Sequence, residues 1–202
     1  MLCIKNGTIH TAVSPETFIG DILVEEGKIV RIGTNLEIPE DARVLDATGL
    51  QVYPGFVEAH CHIGLDGYGI GFEGMDYNEC NDPATPQLRG IEGVKAMDPA
   101  FGRAAAAGVT CVATGPGSAN VLGGTFTALK TVGCRVENMI VKEAIAMKCA
   151  FGENPKRVYR EKGNSTRMTT AARLREMLFK AKEYGEKKAA AGDDVSKRPP
   201  FD

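Results

Sequence analysis

Pro54-Gly55-Phe56-Val57-Glu58-Ala59-His60-Cys61-His62 decides how this chain is read. Pro-Gly marks a break, and Phe56–His62 then has the pattern of a strand. Alternation along a strand sends residues two apart to the same side. Val57, Ala59, Cys61 and Ile63 make an apolar face, while Phe56, Glu58, His60 and His62 share the other. Two imidazoles leaving one face can hold a single divalent metal ion, and zinc suits nitrogen donors. A His-x-His pair alone is a weak signal. Directly after Pro-Gly, on a strand followed by strand–helix alternation, it is a strong one.

Downstream, a long loop over 63–88 leads to a helix with clear punctuation. Asp98 is the N-cap, Pro99 the first helical residue, and Gly108 the stop after an alanine-rich run. Strands are expected at Val109–Thr114, Thr125–Val132 and Ala144–Phe151. A helix is expected over 169–190, with Ala171, Leu174, Leu178 and Ala181 on one face and Glu176→Lys180 and Glu183→Lys187 as supporting pairs. Such alternation implies a parallel sheet. Upstream, residues 1–53 read as hairpins. Cys3–Lys5 turns through Asn6-Gly7 into Thr8–His10. Asp21–Val24 turns through Glu25–Lys28 into Ile29–Ile32, and Arg43–Asp46 turns through Thr48-Gly49 into Leu50–Tyr53. The fold class is therefore α/β: a small N-terminal β module over 1–53, then a partial TIM-like β/α barrel, about half of one, over 54–202. A complete barrel takes about 250 residues, more than the 202 present here.

Lys148 sits in the apolar run Ala144-Ile145-Ala146-Met147-Lys148-Cys149-Ala150-Phe151, on the side with the small residues Ala144, Ala146 and Ala150. A lysine there is costly unless paired or neutral. Burial depresses its pKa, and a neutral amine can take up CO₂ to give a carbamate, an anionic ligand able to bridge two cations. Lys130 is the rival for that role.

Composition bounds the remaining classes. The chain is 43% hydrophobic and 25% charged with net charge −2, which excludes disorder over most of its length. Its six cysteines are scattered, so reduced thiols in a cytoplasm are expected rather than a disulfide scaffold. No apolar run is long enough to span a bilayer. Residues 153–202 carry 13 Lys and Arg against 8 Asp and Glu. Both signs mix on one helical pattern without a stacking platform, so no nucleic-acid partner is expected. Gly69–Gly74 matches a dinucleotide fingerprint by letter, yet Asn78, Asn81, Asp82, Pro83 and Pro86 come next instead of a helix. That segment reads as a flexible loop.

The Pro54–His62 segment resembles the first barrel strand of the amidohydrolase superfamily. Gly27-Lys28-Ile29-Val30-Arg31-Ile32-Gly33 and Leu45-Asp46-Ala47-Thr48-Gly49 resemble the β module that precedes it there. Met147-Lys148-Cys149-Ala150-Phe151-Gly152-Glu153-Asn154-Pro155-Lys156 resembles a segment of the imidazolonepropionase-related branch. The resemblance covers essentially the whole chain. It implies a metal-dependent hydrolase that directs activated water at amide, amidine or dipeptide-like C–N bonds of small molecules. It makes His60 and His62 ligands of a divalent ion, usually zinc, one or two ions filling the complete site, and Lys148 the bridging carbamate. It also implies two later histidines and a general-base aspartate that have no counterpart in this chain, which has three histidines in all, one of them His10. The expectation is thus an amidohydrolase seen as its N-terminal half and inactive alone, associating with itself or with a complementary C-terminal half. The alternative is a non-catalytic remnant or scaffold.

Overall fold

The computed structural model describes residues 1–200. They form two compact units, Met1–Phe56 and Val57 onward.

In the first unit β1 (Leu2–His10), β2 (Thr17–Glu25), β3 (Lys28–Gly33), β4 (Arg43–Asp46) and β5 (Gln51–Val52) build one sheet of order β3-β2-β1-β4, with β5 also on β1. The β2–β3 hairpin is as expected: Glu25 pairs with Lys28, and Glu26 and Gly27 both take positive φ, which a two-residue turn of this hand requires. The other two hairpins do not form. Asn6-Gly7 lies inside the continuous β1 as a bulge against β2, with Asn6 at φ 61°. Asn6 alone takes left-handed backbone, and Asp21 holds the kink by accepting the Asn6 amide at 3.0 Å, so the chain carries on instead of reversing. Strands β4 and β5 do not pair with each other. Both run parallel to β1, one after the other, across a kink where Asp46 accepts from the Thr48 amide. His10 is occupied within this unit, stacked on Tyr53 at 4.1 Å and bonded to Gln51 Oε1 at 2.7 Å.

The second unit holds a four-stranded sheet, β6 (Phe56–Cys61), β7 (Val109–Thr114), β8 (Leu122–Lys130) and β9 (Ile140–Cys149), in that order. Short helices α1 (Gly90–Gly93), α2 (Pro99–Ala106), α3 (Val136–Met139) and α4 (Glu153–Val158) and the long α5 (Arg167–Ala191) complete it. Asp98 caps α2, accepting from the Ala100 amide at 2.8 Å. Cys61, His62 and Ile63 meet Ala113, Gly115 and Thr114, so the C-terminal ends of β6 and β7 lie side by side, as in parallel neighbours. Beyond β7 the parallel expectation fails: β7/β8 and β8/β9 are antiparallel. The cause is connection length. A parallel crossover needs about a dozen residues, usually a helix, whereas only 115–121 and 131–139 join these strands. The fingerprint-like loop ends in a single 3-10 turn at Phe72–Gly74, with no helix after it to receive a phosphate.

Phe101 from α2, Val112 from β7, Leu129 from β8 and Met139 from α3 form the core, with Cys61, Ile63, Ile91 and Val94 packed around them. Cys61 therefore faces packing, and desolvation of its half-buried thiol pushes the pKa above the ordinary value. Strand β9 lies at the sheet edge, and Ile145, Met147 and Phe151 are exposed. On α5, Ala171, Leu178 and Ala181 of the expected apolar stripe are exposed and Leu174 is half-buried, so the described residues cover that stripe only in part. Glu176–Lys180 pairs at 2.7 Å, while Lys182–Glu186 forms at 3.8 Å in place of Glu183–Lys187. Among the described residues no helix is long and apolar enough to cross a membrane.

Candidate metal centre

The strand alternation of β6 sends His60 and His62 to the same side, with ring centroids 5.5 Å apart at 82°. Lys148 reaches them from β9, its Nζ 3.2 Å from His60 Nε2. Register brings this about. Lys148 pairs with Gly124 at the start of β8, whereas Lys130 pairs with Cys111 at the opposite end and is exposed. Of the two candidate lysines, Lys148 is the one beside the histidines. Phe126 fills the middle of the group, its ring 5.1 Å from His60, 6.3 Å from His62 and 5.8 Å from the Lys148 amine.

Each donor is held in a defined state. His62 Nδ1 lies 2.8 Å from the Gly115 carbonyl, which can only accept, so Nδ1 is the donor there and Nε2 is the nitrogen left to face a metal. Tyr77 stacks on the same ring at 5.3 Å and 21°. The His60 backbone amide donates to Glu58 at 3.0 Å. Desolvation first, then Lys148 and His62, push the His60 imidazole below its ordinary pKa, against the opposing pull of Glu58. Lys148 is only 9% exposed, and desolvation lowers its amine pKa as well. Both shifts favour uncharged nitrogen with an available lone pair, the form a metal ligand or a CO₂ acceptor needs.

These donors fit a divalent ion but make an open set. Among the described residues no cluster of three or more His, Cys, Asp or Glu side chains could hold a metal, so two imidazoles and the Lys148 nitrogen are the available donors. One cavity borders His62, and a second adjoins it. One of about 360 Å³ is lined by His62, Asp66, Tyr68, Tyr77 and Asp98. The other, about 270 Å³, is lined by Tyr77, Glu79, Arg89, Glu92, Pro116 and Gly123. Tyr77 lines both. Sequence reasoning missed Phe126, Tyr77 and the Gly115 carbonyl. Phe126 was open to discovery, lying on an expected strand. Tyr77 sits in a loop without periodicity and gave no signal.

The chain is similar to known amidohydrolases. The solved structure of an amidohydrolase from Thermotoga maritima MSB8 superposes with a TM-score of 0.92 and 44% identity, covering 100% of this chain and 53% of that one. Amidohydrolase tasK of Hapsidospora irregularis is 35% identical over 157 residues, which take in 70% of this chain and 16% of that protein. The allantoinase of Salmonella choleraesuis is 53% identical over 66 residues, 33% of this chain and 14% of the relative. No protein-family model matches. The relatives are amidohydrolases, and this chain spans about half the length of the solved one and less than a fifth of the curated ones.

Proposed function

We propose that this chain is the metal-holding part of an amidohydrolase that cleaves C–N bonds in small amides or amidines. The observation that carries the reading is the convergence of His60, His62 and Lys148 at one point of the sheet. His60 and His62 present imidazole nitrogens to one side, and Lys148 offers an amine whose pKa burial lowers. That amine can form an N–C bond with CO₂ and release one proton, leaving an anionic carbamate. A divalent ion, zinc for choice, would supply electrophilic activation of the amide and of water. The Gly115 carbonyl fixes which His62 nitrogen donates, and the Phe126 ring covers the amine's flank at 5.8 Å.

The four-stranded sheet serves in this proposal as one wall of a barrel, with the β8–β9 antiparallel hairpin set into it. The branch suggested by Met147–Lys156, that of imidazolonepropionase-related hydrolases, belongs to the same reading. The exposed edge of β9 favours a partner surface, a second copy or a complementary C-terminal half. No further histidine is available, since His10 is spent on Tyr53 and Gln51. The chain alone is therefore expected to bind Zn²⁺ weakly without turnover. The test is hydrolysis of hydantoin, allantoin and dihydroorotate by the purified chain with Zn²⁺, beside calorimetric Zn²⁺ binding. Binding without hydrolysis supports the proposal. Hydrolysis lost in His60→Ala would show that these residues suffice, and absence of Zn²⁺ binding would favour a non-catalytic scaffold.

A further inference from the structure

His62 is held at two places. The hydrogen bond to Gly115 fixes one edge of the imidazole, and the Tyr77 ring fixes its plane. The Nε2 lone pair has a set direction only when both hold. The Gly115 anchor lies on the sheet end, but Tyr77 lies in a loop, so something must hold that loop. Four contacts do so from behind. Gly117 donates its amide to the Tyr77 carbonyl at 2.6 Å, and Ala119 donates to Asn78 Oδ1 at 3.1 Å. The Tyr159 hydroxyl donates to the Glu79 carbonyl, and the Lys162 ammonium to the Cys80 carbonyl.

Tyr159 differs from the others in cost and distance. It lies far along the chain, just after α4, and is 0% exposed. A buried phenol needs a partner, and the partner it uses is a loop carbonyl two residues from Tyr77. Its acidity agrees with that placement: burial first, then Cys80, Glu79 and Asp82, push its pKa well above 10.0.

We infer that Tyr159 is a positioning residue for His62, clamping loop 77–80 through the Glu79 carbonyl so that Tyr77 stays stacked on the imidazole. The inference deepens the proposed metal-ligand role of His62 and rests on it. Tyr77 also stands between the two cavities, so the same clamp sets the wall between them.

The experiment compares Tyr159→Phe, Tyr77→Leu and the double variant of the full chain by NMR of the His62 ring protons and by Zn²⁺ titration. Ring-current shielding from Tyr77 should be lost in Tyr77→Leu and largely lost in Tyr159→Phe. Zn²⁺ should bind about 10-fold more weakly in each, the size expected for removing support from a ligand. The double variant should be no weaker than Tyr77→Leu alone, since the two act in series. A Tyr159→Phe protein with unchanged His62 shifts overturns the inference, whatever its stability. If Zn²⁺ fails to bind the wild-type chain while the His62 shifts still move in both variants, the metal reading falls and the positioning stands. Should Tyr159→Phe not fold, Lys162→Met, which removes the neighbouring donor, is read in its place. A shift in the same direction supports the clamp and none overturns it.

Discussion

Adding one methyl at Gly115 should disturb both the sheet and the histidine pair. A Cβ there would lie 2.6 Å from Phe126 Cγ and 2.9 Å from Phe126 Cα. Carbon atoms in contact prefer about 3.5–4.0 Å. The ring can turn away, but the Phe126 backbone, paired with Ala146 on β9, cannot. Gly115 is also crowded from the other side, since a Cβ on Gly90 would fall 3.0 Å from its Cα. Relief must therefore shift the Gly115 peptide, and the carbonyl that holds His62 at 2.8 Å shifts with it. Overpacking of this kind costs about 1–3 kcal/mol. Weakening one internal hydrogen bond adds about 0.5–1.5 kcal/mol. Gly115→Ala should lose about 2–4 kcal/mol in urea unfolding followed by circular dichroism, with an unchanged urea slope. NMR should show the His62 Nδ1 proton released from its hydrogen bond. A variant as stable as wild type, with that proton still bonded to Gly115, would refute the reasoning.

The same substitution should have the opposite sign elsewhere. Gly102 in α2 and Gly185 in α5 have nothing within 4 Å of an added Cβ, so Gly102→Ala and Gly185→Ala should each gain about 0.5–1 kcal/mol in the same urea assay. Leu129, fully buried in the core, should cost about 2–5 kcal/mol when cut to alanine, measured likewise. Tyr159 makes stability pH-dependent in a definite direction. Its folded pKa is raised above 10.0, so the unfolded chain gives up the phenolic proton first. Its contribution is complete below pH 10 and is lost as pH rises through the folded value. The stability gap between wild type and Tyr159→Phe should narrow above pH 10 in denaturation curves.

How much of the fold and site was legible in the sequence depends on how local each signal is. The shared face of His60 and His62 needs only strand alternation, and the start of α2 needs only Asp98-Pro99, so both were legible. Glu26-Gly27 reverses the chain because both residues take positive φ between two strands that pair. Asn6-Gly7 carries the same local preference, yet Asp21 and the continuing β1–β2 ladder turn it into a bulge. The antiparallel β7–β8–β9 run was hidden by reading strand content without connection length, and 115–121 was the missed clue. Choosing between Lys148 and Lys130 was beyond local reasoning, since both lie on strands. Only the β8–β9 register, with Gly124 opposite Lys148, decides which lysine meets His60. Tyr77 and Tyr159 depend on contacts between distant loops and leave no periodic trace.

The central claim is that His60, His62 and Lys148 hold one divalent ion. Isothermal titration of Zn²⁺ into the full chain, beside His60→Ala, His62→Ala and Lys148→Met, tests it most directly. The account predicts one binding event in the wild type, abolished by either histidine substitution and weakened by Lys148→Met. Zn²⁺ binding of undiminished affinity in His60→Ala and His62→Ala would contradict it.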